Sequence, residues 1–296
     1  VLEKRMIDVL VIGGDGLIGA ALGRELSRCG AHFAETSRRR EKCGLPGVSF
    51  LDLETLVGLD DIPPAHTVVL CAAETNLKRC AESPERSSAI NVNAPARLAD
   101  WVQSHGGRLL LLSTSAVLDG SIAKSPEDTP YSPMTVYGQQ KTLAERAVLH
   151  DGRNLVVRIG KVLHPQQALL AGWKESLASG QSIRPLSDLI VAPVGVHAVV
   201  DILMRLIGDQ TTAGIYQFTS DRDTTYADLA VQLARVLNAQ ASSVQPMTIE
   251  EAGILLEHSP LHATLSDKRL QAATGVSAPA WESAMVEIFA AEELGQ

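Results

Sequence analysis

Aromatic residues make up only 4% of the 296-residue chain, and it contains four cysteines. Cys29, Cys43, Cys71 and Cys80 show no close-paired spacing, which excludes a zinc-ribbon pattern and a disulfide scaffold and reads as reduced thiols in a cytoplasmic protein. Eight histidines are scattered; His258 and His262 stand four apart, but Pro260 between them disfavours the helix that would align them, so no metal site is expected. No apolar run reaches the ~18 residues needed to span a bilayer. The opening Val-Leu-Glu-Lys-Arg leads directly into a strand pattern, without the features of a signal peptide. With a formal net charge of -8 the chain has no basic excess, so neither nucleic acid nor an anionic membrane is expected as its main partner. Internal repeats and low-complexity tracts are missing too.

What is present is ordinary for a soluble enzyme: 45% hydrophobic and 20% charged residues, in a chain long enough for one large α/β domain and a smaller companion. Ile7 to Ile12 is an apolar run that ends at a glycine cluster. A helical pattern follows from Leu17 to Cys29, then strand patterns at Ala31 to Ser37, Val48 to Leu53 and Thr67 to Ala73. A helix is expected over Ser87 to Ser104 and a buried strand over Arg108 to Leu112. A second helix should carry Tyr137, with Pro133 in its first turn and Ser132 as its cap, and Asn154 to Ile159 supplies another strand. Strands alternating with helices predict an α/β fold, a Rossmann-like doubly wound parallel sheet with a small α/β C-terminal substrate-binding lobe. The nucleotide-binding domain is expected over 1–160 and the lobe mainly over 161–296. A helix near Gly195 and a strand near Gly214 are expected to return to the first domain.

Gly13, Gly16 and Gly19 lie between the first strand and the first helix. Glycines at that junction provide a tight turn, backbone N–H groups close to a pyrophosphate, and close helix–sheet packing. Gly13, Gly16, Leu17 and Ile18 are therefore candidate cofactor contacts. The second strand ends in Ser37-Arg38-Arg39, where an NAD site usually places a carboxylate for the ribose. A hydroxyl and guanidinium groups suit a 2′-phosphate instead, so NADP(H) is preferred, with NAD(H) as the alternative. Asp52 and Leu53 are placed to touch the adenine, while Ala72 and Ala73 leave room for the cofactor backbone.

Tyr137-Gly-Gln-Gln-Lys141 puts a phenol and an ammonium on one helix face. A neighbouring ammonium is expected to lower the phenol's pKa and ease proton exchange near neutral pH. Thr114, at the carboxyl edge of the fifth strand, can polarise the same carbonyl oxygen; Ser113 and Ser115 are alternatives. Thr114, Tyr137 and Lys141 are the candidate catalytic residues, with Tyr137 and Lys141 also touching the cofactor ribose.

These residues resemble the extended short-chain dehydrogenase/reductase family, above all its dTDP-4-dehydrorhamnose reductase branch. The likeness covers nearly the whole chain and is densest from Gly13 to Gly160. Ser113-Thr114-Ser115-Ala116-Val117-Leu118-Asp119-Gly120 is similar to the family's Ser-Thr-x-x-Val-Phe-x-Gly segment, and Pro133 to Lys141 to its Pro-x-x-x-Tyr-Gly-x-x-Lys segment. The resemblance makes Thr114 the catalytic hydroxyl, assigns Asn91 to support of the active-site backbone at the cofactor site, and matches Arg158 to an arginine of the following strand. It implies NADPH-dependent reduction of a keto group on a nucleotide-linked sugar, in a cytoplasmic enzyme for which a homodimer is left open. Three sugar-contact segments depart from the pattern, reading Ser115-Ala116, Glu74 to Lys78, and Ser187 to Pro193. The alternatives are a non-catalytic NADP-binding regulatory subunit and a nucleotide-sugar 4-epimerase. Without an acid–base carboxylate pair beside Thr114, a 4,6-dehydratase is not expected.

Overall fold

A computed structural model describes residues 5–164 and 167–286. Seven strands form one parallel sheet: β1 (Ile7–Ile12), β2 (Phe33–Ser37), β3 (Val48–Phe50), β4 (Ala65–Leu70), β5 (Arg108–Thr114), β6 (Leu155–Ile159), and a late strand, Gly214–Phe218. The late strand pairs in parallel with β6 at one edge, and β3 forms the other. From β3 the order runs β2, β1, β4, β5, β6, so the strand order reverses beside β1. In such sheets the crevice outside the strands' carboxyl ends at that reversal is the ligand site.

Helices cover both faces. On one lie α1 (Leu17–Arg28) and a later helix, Val196–Gly208. The other carries two short helices, α2 (Leu77–Glu82) and α3 (Pro84–Ser88), then α4 (Ala94–Ser104) and α5 (Val136–Val148). The strands divide their side chains between two cores, as alternation requires. Val9, Val11, Leu110, Leu112, Leu155 and Val157 pack toward α1. Leu10, Ile12, Leu109, Leu111 and Val156 pack toward α4 and α5. Each such side chain removed from water contributes about 1.5–3 kcal/mol, so the sheet is the rigid element on which the site is built.

Beyond β6 the chain forms β7 (Lys161–Leu163), α6 (Ala168–Ala178), β8 (Ile190–Val191) and β9 (Pro193–Gly195). The helix Val196–Gly208 is α7 and the late strand is β10; β11 (Thr224–Thr225), α8 (Tyr226–Val236) and α9 (Lys268–Thr274) follow. Helices α6 and α8 share a separate apolar cluster that includes Leu170, Trp173, Leu229 and Leu233. The backbone is helical over 281–286, and the rest of the expected last helix lies outside the described residues.

Two local expectations are corrected. Thr135, not Ser132, caps α5: its hydroxyl accepts from Gly138 N at 3.0 Å. Pro133 therefore precedes the helix, and the Ser132 hydroxyl accepts from Asp119 N in the loop after β5. The helix expected over Ser87 to Ser104 is not continuous, because Ala89–Asn93 forms a wide π-helical turn before α4. Pro95 lacks the N–H that would bond the carbonyl four residues back, at Asn91, and its ring crowds that oxygen. Such turns recur at functional sites, and this one carries Asn91.

Candidate active site

A cleft of about 760 Å³ runs along the carboxyl edge of β1, β2, β4, β5 and β6. That size suits a small molecule or cofactor. At one end stands the glycine turn. Gly13 has φ +91°, and a Cβ there would lie 2.7 Å from the Ala72 Cβ, so both backbone and space demand glycine. The turn is tied to β2: Gly13 N donates to Thr36 Oγ1 (3.2 Å), and Gly14 N to the Thr36 carbonyl (3.0 Å). Gly13→Ala should cost about 1–3 kcal/mol of stability, the strain of a non-glycine residue held at positive φ. It should also weaken nucleotide binding; unchanged melting with unchanged binding would contradict this role.

Gly13, Gly16, Leu17 and Ile18 line this end together with Ser37, Arg38, Arg39, Asp52 and Leu53. Arg40, the next arginine, instead stacks over Phe50 with 4.0 Å from guanidinium to ring centroid. Asp52 is partly engaged locally, accepting from Glu54 N (3.0 Å) and the Thr55 hydroxyl (3.0 Å). Ala72 and Ala73 also line the cleft. They lie just past β4, which ends at Leu70 rather than at Ala73 as its apolar run suggested. Glu35 does not line the cleft. A Cβ on Gly14 or Gly23 would collide with its carboxyl, which lies under α1, and burial raises its pKa, with the Asp15 charge adding to the rise.

At the other end Thr114 and Tyr137 line the same cleft. Thr114 Oγ1 accepts from Ala116 N at 3.1 Å, which leaves the hydroxyl proton free to point elsewhere. Tyr137 is the second residue of α5. Next to it, Gly138 lets the helix approach the 115–117 turn so closely that an added Cβ would collide with the Ala116 carbonyl oxygen. Ser113 is committed elsewhere, its hydroxyl donating to the buried Glu145. Ser115 remains on the cleft wall.

Lys141 is buried one turn behind Tyr137, and its Nζ donates to the Leu112 carbonyl at 2.7 Å. Burial lowers its pKa to about 8, opposed by the negative charge of Glu145. The expected lowering of the tyrosine pKa is corrected here. Burial pushes the Tyr137 phenol up, with a smaller contribution from Cys80. The phenol therefore starts as a firmly held proton donor.

Asn91 lies behind the cleft wall, not among its lining residues. Its Oδ1 accepts from Glu74 N and its Nδ2 donates to the Glu74 carbonyl, both at 2.9 Å. The same Nδ2 donates to Gln140 Oε1 (2.9 Å), and Gln140 Nε2 donates to Ser87 Oγ (2.8 Å). Asn91 thus fixes the loop after β4 to the helix carrying Tyr137. Of the departing segments, Glu74 and Thr75 line the cleft while Ser187 and Asp188 do not. Asp188 accepts from Ile249 N (2.9 Å), bracing a loop pair. His258 and His262 are engaged separately, one with the Asp119 carbonyl (2.7 Å), the other with Asp223 (2.8 Å).

Sequence reasoning gave no role to two residues. Asp15, inside the glycine turn, lines the cofactor end and accepts the Ser37 hydroxyl at 2.7 Å. Glu145 completes a buried cluster beneath the chemical end. Arg158 Nη2 donates to it at 2.9 Å, the Tyr131 hydroxyl at 3.0 Å, and Ser113 as well. Its helical spacing after Lys141 was a usable signal; Asp15 had none, because Ser37 is far away in the chain.

The family model described as "RmlD substrate binding domain" matches residues 7–294. The chain belongs to that family. The dTDP-4-dehydrorhamnose reductase of Streptomyces griseus is 28% identical over 300 residues, covering 95% of this chain and 93% of that protein. Methionine adenosyltransferase 2 subunit beta of Xenopus tropicalis is 26% identical over 255 residues, 82% of this chain and 76% of that protein. A crystal structure of dTDP-4-dehydrorhamnose reductase from Bacillus anthracis, in complex with NADP, aligns with a TM-score of 0.84 at 20% identity. The match covers 97% of this chain and 100% of that one. The Rossmann-like doubly wound sheet is thus the fold shared with that crystal structure. Among the described residues no helix is long and apolar enough to cross a membrane.

Proposed function

We propose that this chain is an NADPH-dependent reductase of a keto group on a nucleotide-linked sugar, with NADH as a second cofactor. One observation carries the reading: a single cleft has the glycine turn and Ser37-Arg38-Arg39 at one end and Thr114 with Tyr137 at the other. The residues fit a dinucleotide phosphate. Gly13 presents only backbone, Ala72 and Ala73 add little bulk, and the end of β2 offers a hydroxyl and guanidinium groups. Bound there, NADPH would supply the hydride.

The chain's own residues handle the proton and the charge. Thr114 directs its free hydroxyl proton at the substrate carbonyl oxygen, whose negative charge grows as the carbonyl is reduced. Tyr137, kept protonated by burial, donates to that same oxygen. Lys141, as an ammonium held on the Leu112 carbonyl, stabilises the phenolate left behind. Since burial brings the lysine pKa to about 8, the helpful charge is present below that pH and lost above it. Turnover should therefore fall as pH rises through about 8, and Lys141→Arg, which keeps its charge, should flatten that limb. A profile that keeps rising well above pH 8 would contradict this role.

The nucleotide-linked substrate is supported by family membership and by the dTDP-4-dehydrorhamnose reductase relatives. A cytoplasmic setting is supported by four free cysteines. A second reading, an NADP-binding subunit of another enzyme, is favoured by the relatives named methionine adenosyltransferase 2 subunit beta and by Ser115-Ala116 at the sugar-facing segment. The assembled Thr114, Tyr137 and Lys141 favour the reductase. NADPH oxidation across a panel of nucleotide-linked keto-sugars separates the two: turnover of one supports the reductase, and tight NADPH binding without turnover supports the subunit.

A further inference from the structure

At the end of β2, a carboxylate from the glycine turn faces the residues that suit a 2′-phosphate. Asp15 Oδ2 accepts the Ser37 hydroxyl at 2.7 Å and lies 3.6 Å from Arg39 Nε. Ser37 Oγ in turn accepts from Arg39 N at 2.9 Å, so the three residues form a closed local set. The Asp15 side chain is only 19% exposed, and it lines the cleft alongside Ser37, Arg38 and Arg39. A serine hydroxyl has a single proton, and here Asp15 takes it. The same carboxylate shares the charge of Arg39.

We infer that Asp15 sets cofactor selectivity by opposing the 2′-phosphate and accepting a free ribose 2′-hydroxyl; this rests on the cofactor site proposed above. A 2′-phosphate entering here must take the Ser37 proton and the Arg39 charge from Asp15, and then sit beside a like charge. A 2′-hydroxyl meets no such opposition and can donate to Asp15. Dinucleotide sites commonly provide that ribose carboxylate from the end of the second strand. In this chain Glu35 is turned under α1, and the glycine turn brings a carboxylate to the ribose end from the opposite side. The arginines and Asp15 thus pull in opposite directions, which gives one site two usable cofactors.

The test is equilibrium binding, independent of turnover. NADPH and NADH, and the fragments 2′,5′-ADP and 5′-AMP that carry only the ribose end, are titrated into wild type, Asp15→Asn and Asp15→Ala. Both variants should shift the ratio of dissociation constants toward the 2′-phosphorylated ligand by at least ~10-fold, since like-charge opposition is removed. Asp15→Ala should also weaken 5′-AMP. Nucleotide binding with a ratio unchanged in both variants would overturn the role of Asp15 alone. Failure of wild type to bind any of the four would overturn the cofactor site and this inference together.

Discussion

Tyr137→Phe should reduce ketone reduction by at least ~100-fold, the range of general acid–base catalysis, while NADPH binds as in wild type. The substitution removes one oxygen from a residue that lines the cleft, and the cap of α5 is made by Thr135 rather than by that atom. The proton would then have to come from water or from Thr114, whose hydroxyl is an unassisted donor. Loss in kcat with little change in cofactor affinity is therefore the signature of a proton donor. Turnover equal to wild type would remove Tyr137 from the chemistry and return the cleft to a binding role.

The largest stability effect should come from Arg158. Arg158 and Glu145 pair at 2.9 Å with side chains 1% and 0% exposed. Arg158 Nε also reaches both Glu145 oxygens, and Nη1 donates to Gln217 Oε1 at 3.1 Å. Gln217 Nε2 passes the connection to the Ser125 and Ser266 carbonyls, tying β10 and two loops to α5. Arg158→Met leaves the carboxylate buried with only hydroxyl partners and should cost about 3–5 kcal/mol. Arg158→Met combined with Glu145→Leu should recover much of that loss, because the carboxylate is then no longer left buried without its guanidinium partner. Denaturant unfolding measures both. A loss below ~1 kcal/mol in the single variant, the scale of an exposed pair, would show that the pair is not buried as described.

The sheet was legible because buried parallel strands read as continuous apolar runs; β1 has the bounds that its run suggests. Strand ends were less legible. Cys71 to Ala73 stay apolar beyond β4 because they line the cleft, whereas polar Ser113 and Thr114 belong to β5 through pairing with Arg158 and Ile159. Apolarity marks burial, not pairing, so the two errors have opposite signs. At the site, Tyr137 and the glycine turn were legible from short-range spacing and Thr114 from the family resemblance, and the structure brings them to one cleft. The tyrosine's proton affinity was not, because it depends on burial, which helical spacing does not show. Asp15 was hidden for a further reason: only the β1–β2 pairing carries it to Ser37.

Deuterium transfer tests the central claim most directly. NADPH deuterated on its transferable face is incubated with each nucleotide-linked keto-sugar, and the products are read by NMR for wild type and Tyr137→Phe. Reductase chemistry at Tyr137 predicts deuterium on the carbon of the former ketone in wild type and almost none in the variant over the same time. NADPH bound tightly, yet no deuterium in any sugar, would contradict it.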